Sequence, residues 1–330
     1  MAPARPPSSA VGRLVPRVLR ALLVCLAVAC LLSLVLAAVY QASGREVTTV
    51  DAGRRMHALL PGEGYLPLGV GLTHYRWDGP EGGPVVVLVH GYLDTLRVWD
   101  SVVPVLTQSG FRVLRFDTIG HGLSDRLSTP YSRALARRQL GELFDHLRLT
   151  APDLVGHSLG GAAAVDFTAH QPTRVRRLAL LAPAVAVNLP RLRWVRVPVL
   201  GRFLARTVFL GEYEHKLRAR EERGETWAGA TLESYRYRGT EAALLSVVTG
   251  DGFSDYRAAC DTVGRQRRRV LLVWGSGDRM VLGPAIRDAR SALGDVEWLE
   301  LEGAPHELPV DAAPQVARAL VAFLGAADRW

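Results

Sequence analysis

Short apolar runs that alternate with helical stretches constrain the fold of this 330-residue chain more than any other feature. One of them, VVVLV at Val85–Val89, is apolar at every position, as expected of a strand that is buried on both faces of a parallel sheet. Similar runs occur at Phe111–Phe116, Asp153–Val155, Val175–Leu181, Val270–Trp274 and Val296–Leu301. The alternation predicts βαβ units and therefore an α/β fold with a helix-covered parallel sheet.

Helical stretches separate these runs. They are predicted at Trp99–Ser109, Ser132–Leu147, Leu159–His170, Pro284–Leu293 and Pro314–Leu324. The alternation stops between about Asn188 and Ala259, where an Arg-rich and mostly helical sequence such as Thr240–Val248 intervenes. We interpret residues 188–259 as a helical cap inserted into one α/β core, which comprises residues 72–187 and 260–330.

The N-terminal part contains a run of 20 residues without charge, Ala21–Tyr40. As a helix rising ~1.5 Å per residue, it would cover the ~30 Å hydrocarbon core of a bilayer. We predict a basic cytoplasmic arm at residues 1–20, a transmembrane anchor at 21–40 and a linker at 41–71 that leads into the core. The orientation follows from arginines of the arm, which favour the cytoplasmic side and leave the α/β core outside: Arg5, Arg13, Arg17 and Arg20. The bias is modest, because Arg45, Arg54 and Arg55 follow the run closely.

Two other interpretations of this run stay open. A cleaved signal peptide would give a secreted protein, but its apolar core is normally ~7 to 15 residues and ends at an A-x-A-like site, which Ala37–Tyr40 does not supply. Ala27–Cys30 resembles a lipoprotein cleavage box only weakly, because position 27 lacks a large aliphatic residue. A buried core helix is disfavoured, because the run has no polar stripe.

Composition excludes several other classes of protein. With 48% hydrophobic and 22% charged residues, the chain is not globally disordered. Cys25 and Cys30 lie in the apolar run, so Cys260 alone cannot build a disulfide framework. The formal net charge is +8, but the arginines are scattered without interleaved aromatic residues, and a nucleic-acid partner is not predicted.

The strongest local motif is GHSLGG at residues 156–161, a G-x-S-x-G pattern between an apolar run and an Ala-rich helix. A nucleophile on a tight strand-to-helix turn needs small neighbours, because the turn leaves no room for side chains there. Gly156 and Gly160 meet this requirement. We therefore predict that Ser158 is a nucleophile.

A serine nucleophile needs a base and an acid that orients the base. His306 and Asp278 each follow a predicted strand, so both lie at the edge of the sheet where ligands bind in open α/β folds. Asp255 is the alternative acid. His157 adjoins Ser158 in sequence, and side chains that are neighbours on such a turn diverge, so we interpret it as a packing or hydrogen-bonding residue. Two further histidines lie near the same edge, His90 and His121.

The oxyanion of an acyl-transfer reaction needs preorganised donors, and backbone N–H groups supply them in many enzymes. Leu159 follows the nucleophile at a helix N-terminus, and Tyr92 follows His90-Gly91 after another strand. We predict that the main-chain amides of Leu159 and Tyr92 form the oxyanion hole.

Together these motifs resemble those of the α/β-hydrolases with a mobile cap. The resemblance covers about Leu72 to Leu324, and it rests on His90-Gly91, the run Asp117–Asp125, GHSLGG, GSGD at residues 275–278 and GAPHELP at residues 303–309. It implies an eight-stranded, mostly parallel sheet with helices on both faces, no cofactor or metal, and hydrolysis through a covalent acyl-enzyme. The residues Thr118-Ile119 differ from the family, which usually has bulkier residues, or proline and arginine, at these positions. The difference affects the expected shape of the cleft and not the expected chemistry.

The sequence therefore favours a membrane-anchored serine hydrolase that acts on carboxylic esters with apolar or lipidic acyl groups. Related haloalkane dehalogenases and epoxide hydrolases use an aspartate where this chain has Ser158. Thioesterases, lactonases, perhydrolases and carbon–carbon bond hydrolases keep the serine and stay open as alternatives, as does a non-catalytic binding protein on the same fold.

Overall fold

The computed structural model describes residues 10–42, 46–185, 203, 206, 210–266 and 268–326. An eight-stranded sheet has the strand order β1-β2-β4-β3-β5-β6-β7-β8. Its strands are β1 (Glu63–Leu68), β2 (Gly71–Asp78), β3 (Val85–Val89), β4 (Arg112–Phe116), β5 (Asp153–His157), β6 (Leu178–Leu181), β7 (Val270–Gly275) and β8 (Glu297–Leu301). β2 is antiparallel to β1 and β4, and all other pairs are parallel. The mostly parallel eight-stranded sheet is confirmed.

The central strands are apolar because both faces of the sheet are covered. Every residue of β5, β6 and β7 is buried, whereas most residues of the edge strands β1 and β8 are half-buried or exposed. The central strands are continuous apolar runs in the sequence and were predicted, whereas β1 and β2, which are mostly half-buried, were not. β1 lies within the predicted linker 41–71, and there it pairs with β2.

Helices cover the sheet. The core helices are α3 (Val103–Gln108), α4 (Arg133–His146), α5 (Ser158–His170), α9 (Arg257–Arg265), α10 (Gly283–Leu293), a short α11 (Leu308–Asp311) and α12 (Ala313–Gly325). α3 packs against α12, while α5 packs against both α4 and α9, and α9 against α10. A short helix α2 (Val50–Met56) precedes β1.

The predicted helix Trp99–Ser109 is interrupted. A 3₁₀ turn covers Leu96–Trp99, and α3 begins only at Val103. Pro104 lies in the first turn of α3, where its missing N–H costs nothing, but a continuous helix would bring its ring against the carbonyl four residues earlier.

Among its described residues, the segment that we predicted as a cap contains three helices: α6 (Gly211–Glu221), α7 (Thr226–Ser234) and α8 (Thr240–Thr249). Residues 188–202, 204, 205 and 207–209 of that segment lie outside the described residues. The cap helices that are described follow β6 in the chain, where the strand alternation pauses before β7.

The N-terminal apolar run belongs to helix α1 (Ala10–Ala42). Its window Val18–Val35 has a mean hydropathy of 2.7, and none of this window is buried in the protein. By length and composition the helix could cross a membrane, and a signal sequence would show the same properties.

Strand register brings the loops of the candidate site to one edge of the sheet. Val89, the last residue of β3, pairs with Phe116 of β4 and with Gly156 of β5. At the other side of the sheet Gly275 pairs with Leu301, so the loops after β7 and β8 leave the sheet side by side.

Candidate active site

Ser158 lies on the tight turn between β5 and α5. Its φ of 51° places it in the left-handed region, which non-glycine residues rarely adopt. A Cβ on Gly156 would lie 2.4 Å from the carbonyl oxygen of Gly160, and a Cβ on Gly160 would lie 2.4 Å from the carbonyl oxygens of Val89 and His90. Both positions exclude any larger residue, for the steric reason that the sequence pattern indicated.

The structure brings together the three side chains that the sequence singled out as a nucleophile, a base and an acid. Ser158 Oγ donates to His306 Nε2 over 2.9 Å, and His306 Nδ1 donates to Asp278 Oδ2 over 2.7 Å. The three residues are 5%, 8% and 5% exposed, so these hydrogen bonds are shielded from bulk water. The arrangement can move a proton from a serine hydroxyl to an imidazole whose opposite nitrogen faces a carboxylate.

Asp278 is fixed by backbone groups. Its Oδ1 accepts hydrogen bonds from the amides of Met280 (2.7 Å) and Val281 (2.9 Å), which leaves Oδ2 for the imidazole. Asp255, the alternative acid, is exposed, and its carboxylate accepts from the amide of Arg257. Asp278 is therefore the acid that faces His306.

The electrostatic environment favours the protonated form of His306. Burial alone would lower the pKa of this imidazole, but the hydrogen bond to Asp278 and the negative charges of Glu307 and Asp278 outweigh it and raise the pKa above its ordinary value. The imidazolium that forms when a base accepts a proton is thus stabilised by its surroundings.

The candidate oxyanion donors flank Ser158. Leu159 follows it in the first turn of α5, where amide groups lack intrahelical acceptors. Tyr92 follows Gly91, and a Cβ on Gly91 would lie 3.1 Å from Ser158 Cβ. The two residues follow the neighbouring strands β3 and β5.

His157 lies behind the base. Its Nε2 donates to the carbonyl oxygen of His306 over 3.0 Å, which agrees with the hydrogen-bonding role predicted from its position. Its Nδ1 lies 3.9 Å from Asp94 Oδ2 and has no hydrogen-bond partner among the described residues. Burial, followed by the charge of His306, lowers the pKa of His157 to about 3, so the ring is neutral.

Two carboxyl groups lie beside this imidazole. Burial, and then the proximity of Glu307, raises the pKa of Asp94 well above its usual value, and burial also raises the pKa of Glu307. Donor atoms of Asp94, His157 and Glu307 lie within 4.8 Å of one another, as do those of a second group, His57, Glu63 and His74. Either group has the ligand types of a metal site, although His57 and His74 already bond to carboxylates.

His90 and His121 also lie at this edge, as expected. The amide of Thr118 donates to His90 Nε2 over 3.0 Å, and His90 Nδ1 donates to the carbonyl of Gly91. Thr118 Oγ1 lies 3.0 Å from His121 Nδ1. Thr118, which departs from the family's pattern, thus links the loop after β4 to the loop that carries Tyr92.

Tyrosines of the segment predicted as a cap contact the loop after β3, residues 90–95. Tyr235 Oη donates to the carbonyl of Leu93 over 2.6 Å, and Tyr213 Oη donates to Asp94 Oδ1 over 3.1 Å. In the opposite direction, Tyr92 Oη donates to the carbonyl of Leu244 in α8 over 2.9 Å. Leu93 has a φ of 70°, an unfavourable conformation that these contacts help to fix.

Sequence reasoning missed Asp94, Glu307 and the cap tyrosines. Asp94 lies four residues after His90, and Glu307 follows His306 in GAPHELP, so their position in predicted site loops was a usable signal. Tyr213 and Tyr235 lie in the cap, where no sequence motif connects them with the loop that they contact.

Residues 84–313 match the family described as having the alpha/beta hydrolase fold. This match covers most of the chain, and it agrees with the strand order and with the turn at Ser158. The chain belongs to the α/β-hydrolase family.

Individual relatives have varied chemistries. A dihydrolipoyllysine-residue acetyltransferase component of an acetoin cleaving system from Pseudomonas putida is 30% identical over 269 residues, which are 77% of this chain and 68% of that protein. A carboxylesterase of Bacillus subtilis is 32% identical over 127 residues, 37% of this chain and 41% of that protein. The solved structure of an enol-lactonase from Burkholderia xenovorans LB400 is 25% identical with a TM-score of 0.68, covering 80% of this chain and 100% of that one.

Proposed function

We propose that this protein is a membrane-anchored serine hydrolase that cleaves carboxylic esters. One observation carries the proposal: Ser158 Oγ, the His306 ring and the Asp278 carboxylate form a continuous hydrogen-bonded series with distances of 2.9 and 2.7 Å. Family membership supports hydrolysis as the reaction class.

In the first half of the reaction, His306 Nε2 accepts the proton of Ser158 while Oγ attacks the ester carbonyl carbon. The carbonyl oxygen becomes an oxyanion, which the amides of Tyr92 and Leu159 stabilise; one such donor is worth on the order of 2.7–4 kcal/mol in comparable sites. Asp278 orients the ring and stabilises its positive charge. His306 then donates the proton to the leaving alkoxide, and an acyl-enzyme remains on Ser158.

In the second half, a water molecule takes the place of the alcohol. His306 accepts a proton from the water as its oxygen attacks the acyl carbon, and it returns that proton to Ser158 Oγ as the carboxylic acid leaves. Each half uses the same imidazole first as base and then as acid.

Two features support an apolar acyl group in the substrate. The loops around Ser158 pack on a largely apolar core, and α1 would hold the domain next to a membrane, where lipidic esters are concentrated. The carboxylesterase relative supports an ester substrate. The enol-lactonase neighbour favours one second candidate, the hydrolysis of a cyclic ester by the same steps.

The proposed organisation places residues 1–20 in the cytoplasm, residues 21–40 in the membrane, and the core outside. Residues 188–259 would form a cap over the cleft. The contacts of Tyr213 and Tyr235 with the loop after β3 support that position for the described part of the cap.

Hydrolysis of p-nitrophenyl esters by the detergent-solubilised full chain tests the proposal. We expect turnover of short and medium acyl esters, and a loss of about 10⁴-fold or more in kcat for Ser158→Ala. Ser101→Ala is the matched control, because Ser101 is exposed outside the site. No turnover of esters, thioesters or lactones by the folded wild type would leave a non-catalytic binding protein as the better interpretation.

A further inference from the structure

Three side chains with the chemistry of metal ligands converge at the antiparallel edge of the sheet. They are His57, which follows α2, Glu63 at the start of β1, and His74 in β2. One ligand atom of each, a ring nitrogen or a carboxylate oxygen, lies within 4.8 Å of the other two. Two strands separate β2 from β5, which leads to Ser158, so this cluster is distinct from the candidate active site.

The pairing of β1 with β2 explains why two of these side chains meet. Tyr65 pairs with His74, and Glu63 lies two residues before Tyr65, so Glu63 and His74 project from the same face of the two strands. α2 ends at Met56, and the next residue, His57, places its Nε2 2.9 Å from Glu63 Oε2. Side chains from the end of α2 and from both strands therefore form one cluster.

His74 is held by a carboxylate in the way that metal-binding histidines usually are. Its Nδ1 donates to Asp117 Oδ2 over 2.8 Å, so Nε2 is the nitrogen that carries the lone pair. His74 Nε2 has no hydrogen-bond partner among the described residues, and the side chain is 4% exposed. A carboxylate on the other ring nitrogen fixes the tautomer and the orientation of a ligating imidazole.

Glu63 also has an oxygen without a hydrogen bond. Its Oε2 accepts from the amide of Leu60 and from His57, whereas Oε1 has no hydrogen-bond partner among the described residues. The side chain is 1% exposed, so this oxygen has little contact with bulk water. A buried carboxylate oxygen in this situation gains free energy when a cation binds to it.

Two arginines near Glu63 are already paired with other carboxylates. Arg76 Nη1 and Arg97 Nη1 lie 3.8 and 4.0 Å from Glu63 Oε1, which is longer than a hydrogen bond. Arg76 Nε lies 3.0 Å from Asp78, and Arg97 Nε lies 2.9 Å from Asp100. Because these aspartates balance the two guanidinium charges, Glu63 keeps its negative charge for another cation.

The three ligands must move closer together to hold an ion. Two imidazoles and one carboxylate are a donor set of zinc, and with bonds of ~2.1 Å in a tetrahedron the ligand atoms lie roughly 3.4 Å apart. His57 can make most of this adjustment, because it lies beyond the end of α2 and its side chain is 31% exposed. The same exposure gives an ion, and a water molecule as fourth ligand, a path from solvent.

We propose that His57, Glu63 and His74 bind a zinc ion, and that Asp117 orients His74 for this role. The metal needs a lone pair on His57 Nε2, so the hydrogen bond from this nitrogen to Glu63 is replaced by bonds to the ion. Zinc then links the end of α2 to both strands of the sheet edge. Since α2 follows α1, the ion fixes the segment that connects the proposed membrane anchor to the core.

Zinc binding to the detergent-solubilised full chain, purified without a polyhistidine tag and stripped with EDTA, tests the proposal. In isothermal titration calorimetry we expect about one equivalent of zinc, and zinc at about 100 times its dissociation constant should raise Tm by about 5 °C. Cobalt in place of zinc should give the intense visible absorption of a tetrahedral ion. Trypsin should cleave more slowly after Arg55, which is exposed next to the site, when zinc is bound.

Variants assign the ion to its ligands. His57→Ala and Glu63→Gln should each weaken zinc binding by about 100-fold or more and abolish the rise in Tm. His146→Ala is the matched control, because His146 is exposed at the end of α4 and outside the cluster, and it should bind zinc as wild type does. The melting temperature in EDTA reports whether each variant folds.

The opposite results would overturn the proposal. Wild type that shows neither heat of binding nor a shift in Tm has no zinc site. If His57→Ala and Glu63→Gln bind zinc as tightly as wild type, the ion lies elsewhere, and a loss of binding in Glu307→Gln would then place it in the cluster around Asp94. Ester hydrolysis at Ser158 is measured separately, so failure of either proposal leaves the other intact.

Discussion

His306 connects the two other members of the candidate triad, and in the proposed mechanism its protonation state sets the pH range of activity. The hydrogen bond to Asp278 and the nearby carboxylates raise its pKa against the effect of burial. A general base must be unprotonated in the free enzyme. The acid limb of activity therefore reports this imidazole.

We predict that kcat/KM decreases as the pH falls through a pKa above 6.5, the ordinary value for histidine. Asp278→Asn removes a negative charge from the ring, so it should move the acid limb to lower pH and decrease kcat by about 10³- to 10⁴-fold. A pH–rate profile of both proteins measures the two effects. An acid limb that Asp278→Asn leaves in place would show that another group controls it.

A second prediction follows from the close packing at the turn between β5 and α5, which carries Ser158. Gly160→Ala would place a Cβ 2.4 Å from two carbonyl oxygens of the β3 end, so we expect a loss of about 1–3 kcal/mol in the free energy of unfolding and little activity. Gly82→Ala is the matched control, because a Cβ there meets nothing within 4 Å. Denaturant unfolding compares the two. Equal stabilities would contradict the geometry of the turn.

Among the elements, the ends of the strands determine where the candidate site forms. Val89, His157, Gly275 and Leu301 end strands that share one sheet, and the loops after them carry Tyr92, Ser158, Asp278 and His306. This convergence was predictable from sequence, because each motif directly follows an apolar run. The contacts of Tyr213 and Tyr235 with the loop after β3 were not predictable, because no motif around these tyrosines indicates which loop they contact.

The contact between Tyr235 and the loop that carries the proposed oxyanion donor Tyr92 gives a third prediction. Tyr235→Phe removes the hydroxyl that holds the carbonyl of Leu93, next to the proposed donor Tyr92. We expect kcat to fall about tenfold with little change in KM, because the oxyanion forms only after substrate binding. Steady-state kinetics measure the split.

Tyr65→Phe is the control for this experiment, since its hydroxyl is buried without a hydrogen-bond partner among the described residues. Its kinetic constants should match those of wild type. A change confined to the melting temperature in Tyr235→Phe would indicate that this hydroxyl only stabilises the fold.

At the scale of the whole molecule, sequence predicted the parallel sheet far better than its antiparallel edge. β3 and β5–β7 are buried on both faces and read as apolar runs, but β1 and β2 are half-buried, and their mixed sequences resemble a polar linker. The positions of Ser158, Asp278 and His306 followed from local motifs. The cluster that Asp94 and Glu307 form with His157 did not, because it arises only when distant loops pack together.

Because helix α1 is long and apolar, we expect the whole protein to be found in the membrane fraction and not in the soluble fraction. The full chain should remain in the membrane fraction after alkaline carbonate washing, and deletion of residues 1–42 should release it without changing kcat/KM for a soluble ester. A reporter fused after Tyr40 should be active outside the cytoplasm. Mass spectrometry that finds a shortened chain in the medium would favour the secreted alternative, and a reporter active only in the cytoplasm would reverse the proposed orientation.

The most direct measurement of the central claim is the site of covalent modification by a fluorophosphonate, mapped by peptide mass spectrometry on the full chain. We predict one adduct, on the peptide that contains Ser158, formed at least ~10³-fold faster than in His306→Ala. An adduct on a different serine, or no adduct in a preparation that hydrolyses esters, would contradict the account.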